Sequence, residues 1–180
     1  MHKLKTNELS RLTVSEFKKI KKIPIVIVLD NIRSQNNIGS IFRIADAFRV
    51  SELHLCGITA TPPHREIHKT ALGATESVSW KYFPSTRDSL TELKNAGFNI
   101  CAVEQTSNSI PIDCYDPPEN AKIAVIFGNE VQGVNENIIQ EVDTCIEIPQ
   151  FGTKHSLNVS VAVGIIIWDL FKKTKNVIKM

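Results

Sequence analysis

Three short stretches of this 180-residue chain concentrate the side chains able to do chemistry. They read NIRSQNNIG at 31–39, FGNEVQG at 127–133 and PQFGTKHSLN at 149–158. Each is polar, each runs directly into a helical pattern, and each follows an apolar run that reads as a strand. Two of them set glycine beside groups capable of acid–base or electrostatic work. Taken one at a time, the polar residues have ordinary structural uses. Arg43, on a helix, suits half of a surface ion pair, and Glu130 suits a cap on the helix that follows. Ser156 is a natural N-cap, while Asn37 and Asn158 fit turns or caps. Their convergence at strand ends points instead to a site.

Several chemistries are excluded. The eight glycines never fall two apart, so the dinucleotide-binding glycine pattern is absent, and so is the phosphate loop ending in Gly-Lys-Ser/Thr. His64 and His68 lie four apart in HREIH, which lacks the glutamate placement of a zinc protease, and they read as a surface-loop pair. No aspartate cluster suggests magnesium, and no metal is expected.

The elements that would position these stretches alternate in type. Apolar runs at Ile25–Leu29, Glu52–Cys56, Val78–Phe83, Phe98–Val103, Ile123–Phe127 and Cys145–Ile148 read as strands. Helices are expected from about Ile38 to Phe48, from Ser85 to Gly97, near Asn135–Glu141 and from about Leu157. Residues 59–63 read as a Thr/Pro-rich loop. Strands apolar on both faces and alternating with helices predict an α/β fold, a mostly parallel sheet covered on both sides. In such folds the ligand sits at the carboxyl ends of the strands, where all three polar stretches fall.

Charge is segregated. The net +2 combines +5 over residues 1–22, +4 over residues 171–180 and −7 in between. Basic ends around an acidic body suit a phosphate-binding surface if the ends meet in space, and equally suit two solvated tails. The chain divides into a basic arm at 1–22 and one domain at 23–175. Four cysteines without a paired spacing suit a reducing compartment. With no signal-like segment and no bilayer-length apolar run, a cytoplasmic protein with no membrane partner is expected.

Three segments in order resemble the motifs of the SpoU (TrmH-like) branch of the knotted SPOUT methyltransferases. They are NIGSIFR with Asn37, Gly39 and Arg43, IFGNEVQGV with Gly128 and Glu130, and IPQFGTKHSLNVSVAVGI with Ile148, Pro149, Ser156, Leu157 and Asn158. The resemblance runs from about Ile25 to Phe171. With VEQTSNS and the closing IIIWDL, it leans toward enzymes that methylate a D-loop guanosine of tRNA.

The resemblance implies a C-terminal trefoil knot and S-adenosyl-L-methionine held by Val103, Glu104, Gly128, Ile148 and Leu157. It implies methylation of a ribose 2′-hydroxyl in tRNA or rRNA, with Arg43 central and Asn37, Glu130, Ser156 and Asn158 forming the polar wall. Arg43 serves either as base or as electrostatic stabiliser, and a guanidinium that stays charged favours the second role. The basic arm, through Lys18, Lys19, Lys21 and Lys22, would contact RNA phosphates together with Arg33 and Lys154. The last helix would form a homodimer interface, with Val163 or Ile167 toward the partner. Two rivals remain at this point: an RNA-binding or ribosome-assembly protein on the same fold without catalysis, and an enzyme acting on a base.

Overall fold

A computed structural model of the chain describes residues 2–5, 8–9 and 11–174. The expected domain end at residue 175, with Lys175 and Lys179 of the basic C-terminus, lies outside them. The strands are β1 (Ile23–Asp30), β2 (Val50–Cys56), β3 (Trp80–Phe83), β4 (Phe98–Val103), β5 (Ile110–Pro111), β6 (Lys122–Phe127) and β7 (Thr144–Glu147). They form one sheet in the order β3-β2-β1-β6-β4-β7-β5. Every pairing between these strands is parallel. Alternation explains the double burial of β1. Ile23, Ile25, Ile27 and Leu29 enter the larger apolar cluster, whereas Val26 and Val28 enter a second one on the other face.

The helices are α1 (Val14–Lys19), α2 (Gln35–Ala47), α3 (Arg65–Ala71), α4 (Ala74–Ser77), α5 (Thr86–Asn95), α6 (Glu136–Ile139) and α7 (Val159–Thr174). Helices α2 and α7 cover the first face with Ile38, Ile41, Phe42, Val163, Ile166, Ile167 and Leu170. Leu90 and Leu93 of α5 and Ile138 of α6 cover the second. Helix α7 lies beside α2, where Phe48 meets the rings of Trp168 and Phe171 at 5.7 and 5.5 Å. Gly39 has a packing reason: a Cβ there would lie 2.4 Å from the Ile67 carbonyl oxygen and 2.0 Å from Thr70 Oγ1, so only glycine admits α3 against α2.

Several expectations are corrected. Helices α3 and α4 follow the Thr/Pro-rich loop and were not read, because Leu72 and Gly73 adopt positive φ and split the segment below the length where periodicity is detectable. His68 therefore belongs to α3, exposed, and not to a loop, while His64 stands just before the helix as its N-cap. Strand β3 starts at Trp80, since Val78 N–H still bonds Ala74 O to close α4. The arm is not wholly a tail: α1 carries a Thr13–Glu16 capping box and inserts Phe17 into the main cluster. Val163 and Ile167 are fully buried within the chain. Neither can face a partner; the outward residues of α7 are Val161, Ile165 and Trp168.

Candidate active site at the carboxyl ends of the strands

Strand β6 lies between β1 and β4, so the order of the sheet reverses there, the position where open α/β sheets bind ligands. A cavity of about 570 Å³ opens at the carboxyl ends of β4, β6 and β7, within the range of small-molecule sites. Val103, Glu104, Gly128, Glu130, Ile148, Ser156, Leu157 and Asn158 all line it.

The floor is the loop after β6, and two glycines make it. A Cβ at Gly128 would fall 1.9 Å from the Gly133 carbonyl carbon, so the two backbones touch. Asn129 Oδ1 accepts from the N–H groups of Val131 (2.9 Å) and Gln132 (2.8 Å), curling the chain between them. Gly133 turns at φ +68°, and a Cβ there would lie 2.1 Å from Glu104 Oε2. That same oxygen accepts from Val134 N–H at 3.0 Å, and Glu104 Oε1 accepts from Gln105 N–H at 3.1 Å. Glu104 thus ties the end of β4 to the β6 loop. Its oxygens are engaged with backbone, a role that sequence reading did not separate from ligand contact.

The three polar stretches are joined by one chain of hydrogen bonds. Asn158 Nδ2 donates to Asn37 Oδ1 at 3.2 Å, and Asn37 Nδ2 donates to Glu130 Oε1 at 3.0 Å. The Arg33 backbone N–H lies 3.5 Å from Glu130 Oε2. Partial burial pushes the Glu130 carboxyl up. Hydrogen bonds from its own backbone N–H, the Asn37 side chain and the N–H groups of Arg33 and Ser34 outweigh that, leaving it below the ordinary carboxylate value. The structural uses weighed for these residues fall elsewhere. Asn135 caps α6, not Glu130, and Asn158 caps α7, its Oδ1 accepting from Ser160 N–H at 2.9 Å. Ser156 precedes that cap by two residues and stands on the cavity wall.

A buried acid that sequence reading missed braces the site from below. Asp30 accepts from Thr86 Oγ1 (2.5 Å), Asn31 Nδ2 (2.8 Å) and, more distantly, Asn135 N–H (3.4 Å). It links the end of β1 to the starts of α5 and α6. An acid closing an otherwise apolar strand was the only available signal.

The structure does not bring every candidate into the cavity. Arg43 is exposed on α2, one turn beyond Gly39, and has no ion-pair or hydrogen-bond partner among the described residues. Lys154 is exposed on the loop after β7 and Arg33 on the loop after β1. Lys18 and Lys19 of α1, with Lys21 and Lys22, lie beside the amino end of β1, at the opposite edge of the sheet from the cavity. Lys22 is partly occupied: its Nζ donates to the Phe17 and Ile20 carbonyls and sits 3.9 Å from the Phe17 ring centroid. Burial, with Arg49 nearby, lowers its pKa. Among the described residues one trio of metal-type ligands converges, Glu52, His54 and Glu92, far from the cavity. Lys81 Nζ sits between its two carboxylates at 3.3 and 2.7 Å.

The cavity is acidic, with Glu104, Glu130 and Glu147 on its walls and no lysine or arginine among them. Fold and site together define an α/β protein whose switch-point cavity suits a ligand with positive charge. The SpoU rRNA Methylase family model matches residues 24–168, and the chain belongs to that family. It is 31% identical over 81% of its length to the mouse (Mus musculus) tRNA (guanosine(18)-2′-O)-methyltransferase TARBP1, of which it spans only 9%. An uncharacterized tRNA/rRNA methyltransferase of Borreliella burgdorferi is 32% identical over 93% of this chain and 72% of its own. The A. aeolicus TrmH/SpoU tRNA modifying enzyme superposes with a TM-score of 0.80 at 27% identity, covering 91% of this chain and 81% of that one.

Proposed function

We propose that this protein transfers a methyl group from S-adenosylmethionine to a ribose 2′-hydroxyl of RNA, with tRNA favoured. The observation that carries the reading is the cavity itself: acidic, apolar on one side, built at the switch point and closed by the Asn158–Asn37–Glu130 chain. The proposed cofactor fits it chemically. Its sulfonium and ammonium groups suit walls bearing three carboxylates, its adenosine suits Val103, Ile148 and Leu157, and it has no phosphate to cradle. Gly128 would offer backbone groups. When bound, it supplies a methyl already activated by positive charge.

The protein's share is then orientation and charge. Glu130, ionised at neutral pH, fixes Asn37, and Asn37 fixes Asn158 across two loops. Ser156 presents a hydroxyl on the same wall. Arg43, unpaired among the described residues, is available to an RNA phosphate or to charge developing on the 2′-oxygen. The 2′-hydroxyl is favoured over a base by the name of the mouse relative and by the Asn37–Gly39–Arg43 spacing.

The same reading carries a trefoil knot and a homodimer formed through α7. The knot rests on the family match; in the fold, α7 returns from β7 to lie on α2. Near the end of α7, Lys173 Nζ donates to the carbonyls of Ile112 and Tyr115 at 2.7 Å each, holding the helix against the segment between β5 and β6.

The test is calorimetric binding of S-adenosylmethionine in the presence of a chelator, followed by methyl transfer to bulk tRNA and nuclease mapping of the product. Arg43→Ala is expected to bind cofactor as wild type does and to lose about a hundred- to thousandfold in single-turnover rate. No cofactor binding by wild type, or a methylated base in place of a ribose, would overturn the reading.

A further inference from the structure

Phe151 is 97% exposed, more than any other large apolar residue among those described. It stands on the loop after β7, one residue beyond Gln150 and four before His155, both of which line the cavity. An aromatic side chain held in water forgoes a large apolar contact area. Among the described residues nothing covers it, and no hydrogen bond ties the backbone between Gln150 and Leu157. The loop around it is polar and carries one lysine: Gln150, Gly152, Thr153, Lys154 and His155.

Two occupants deserve comparison, a second copy of the chain and a nucleic acid. The apolar stripe of α7 suited to a second copy is Val161, Ile165 and Trp168, spaced four and three residues apart on one helical face. Phe151 lies outside that helix, three residues before the exposed Lys154 on the same loop, and the cores of protein interfaces are depleted of lysine. An exposed aromatic ring and an exposed lysine on one loop have the chemistry of a single-stranded RNA platform, with stacking on the ring and a phosphate on the ammonium. The cavity adds a reason for such a platform. Its three carboxylates repel a phosphate backbone, so RNA must be held at the rim by groups outside the walls.

We propose that Phe151 is the platform on which the loop after β7 stacks an unpaired base of the substrate RNA, with Lys154 on the adjoining phosphate. This rests on the RNA methyltransferase reading. It adds that the substrate presents the base beside its target nucleotide unpaired, and so is a loop or an end.

The experiment uses the full chain with Phe151→Ala, Phe151→Leu and Phe151→Trp. It measures binding of unfractionated tRNA, KM for that RNA against kcat, KM for S-adenosylmethionine, and sedimentation. A short single-stranded RNA carrying 2-aminopurine reports stacking through quenching of its fluorescence. Expected are a rise in RNA Kd and KM of about five- to a hundredfold for Ala, the range for one base–aromatic stack, and a similar rise for Leu. Trp should restore binding and quenching, and KM for S-adenosylmethionine should stay unchanged in all three. If wild type neither binds S-adenosylmethionine nor methylates RNA, the underlying reading fails. If wild type is active and Ala binds RNA as tightly, or Leu rescues as well as Trp, the platform is overturned. A shift of the Ala variant to a smaller species would also overturn it and assign Phe151 to contact between copies.

Discussion

Glu130 is the residue through which the first two polar stretches meet, and its charge is what makes the junction hold. A carboxylate accepts from Asn37 Nδ2 with one oxygen and faces the Arg33 N–H with the other. Glu130→Gln keeps the shape and replaces one acceptor with a donor, so one of the two contacts becomes donor against donor. Hydrogen bonds to ionised groups are worth about 1.5–3 kcal/mol. Because Glu130 is exposed, the lower end of that range, about tenfold in methyl-transfer rate, is the expected loss. The pH dependence has a definite sign. The folded carboxyl titrates below its ordinary value of 4.5, so its contribution to stability is complete above that value and fades as pH falls through the lower folded one. Urea midpoints of wild type and variant should therefore differ at pH 7 and converge as pH falls through the lowered folded value; a gap that persists in acid would deny Glu130 this role.

At the scale of elements, the turn after β6 depends on one backbone geometry and one acid. Gly133→Ala forces a Cβ into positive φ, costing about 1–2 kcal/mol, and drives it to 2.1 Å from Glu104 Oε2. S-adenosylmethionine affinity should fall more than about tenfold, since 1.4 kcal/mol already corresponds to that factor. Adding Glu104→Ala relieves the contact and leaves the φ strain, so the double variant should lose less than the two single losses combined. Calorimetry on the four proteins decides it; strict additivity would mean that the acid and the glycine are unconnected. Such links show what sequence can reveal. Strand β4 was read to the residue because Phe98–Val103 is an apolar run closed by Gly97 before it and a polar stretch after it. The candidate site was legible because its residues cluster in three short segments. The backbone role of Glu104, the bracing role of Asp30 and the choice of cap for α7 were not: the first two bind backbone or hydroxyl groups 30, 56 and 105 residues away. The cap is decided by which of Ser156 and Asn158 adjoins the first helical turn, a boundary that periodicity leaves loose.

The whole molecule separates its surfaces by chemistry. Acid lines the cavity at one edge of the sheet, and the lysines of α1 lie at the other. Between them runs the outer face of α7, which carries Val161, Ile165 and Trp168, exposed by 50%, 39% and 51%. The inner face of the same helix is filled by Val163, Ile166, Ile167 and Leu170 against the sheet, so the helix is apolar all round between Val161 and Trp168. A helix apolar on every side is ordinarily buried on every side, and the face left open by this chain is the one a second copy would cover about a two-fold axis. Ile165, at the centre of the stripe, is the place to test it. Ile165→Glu puts a charge where a desolvated interface would charge several kcal/mol for it, while in a monomer the same side chain would stand in water at little cost. Sedimentation at micromolar concentration should therefore show wild type as a dimer and Ile165→Glu as a folded monomer. Tryptophan emission should shift to the red in the variant, because Trp168 would return to solvent. A wild-type monomer, or a variant that stays dimeric with unchanged emission, would leave α7 without a partner and remove the two-fold assembly from the proposal.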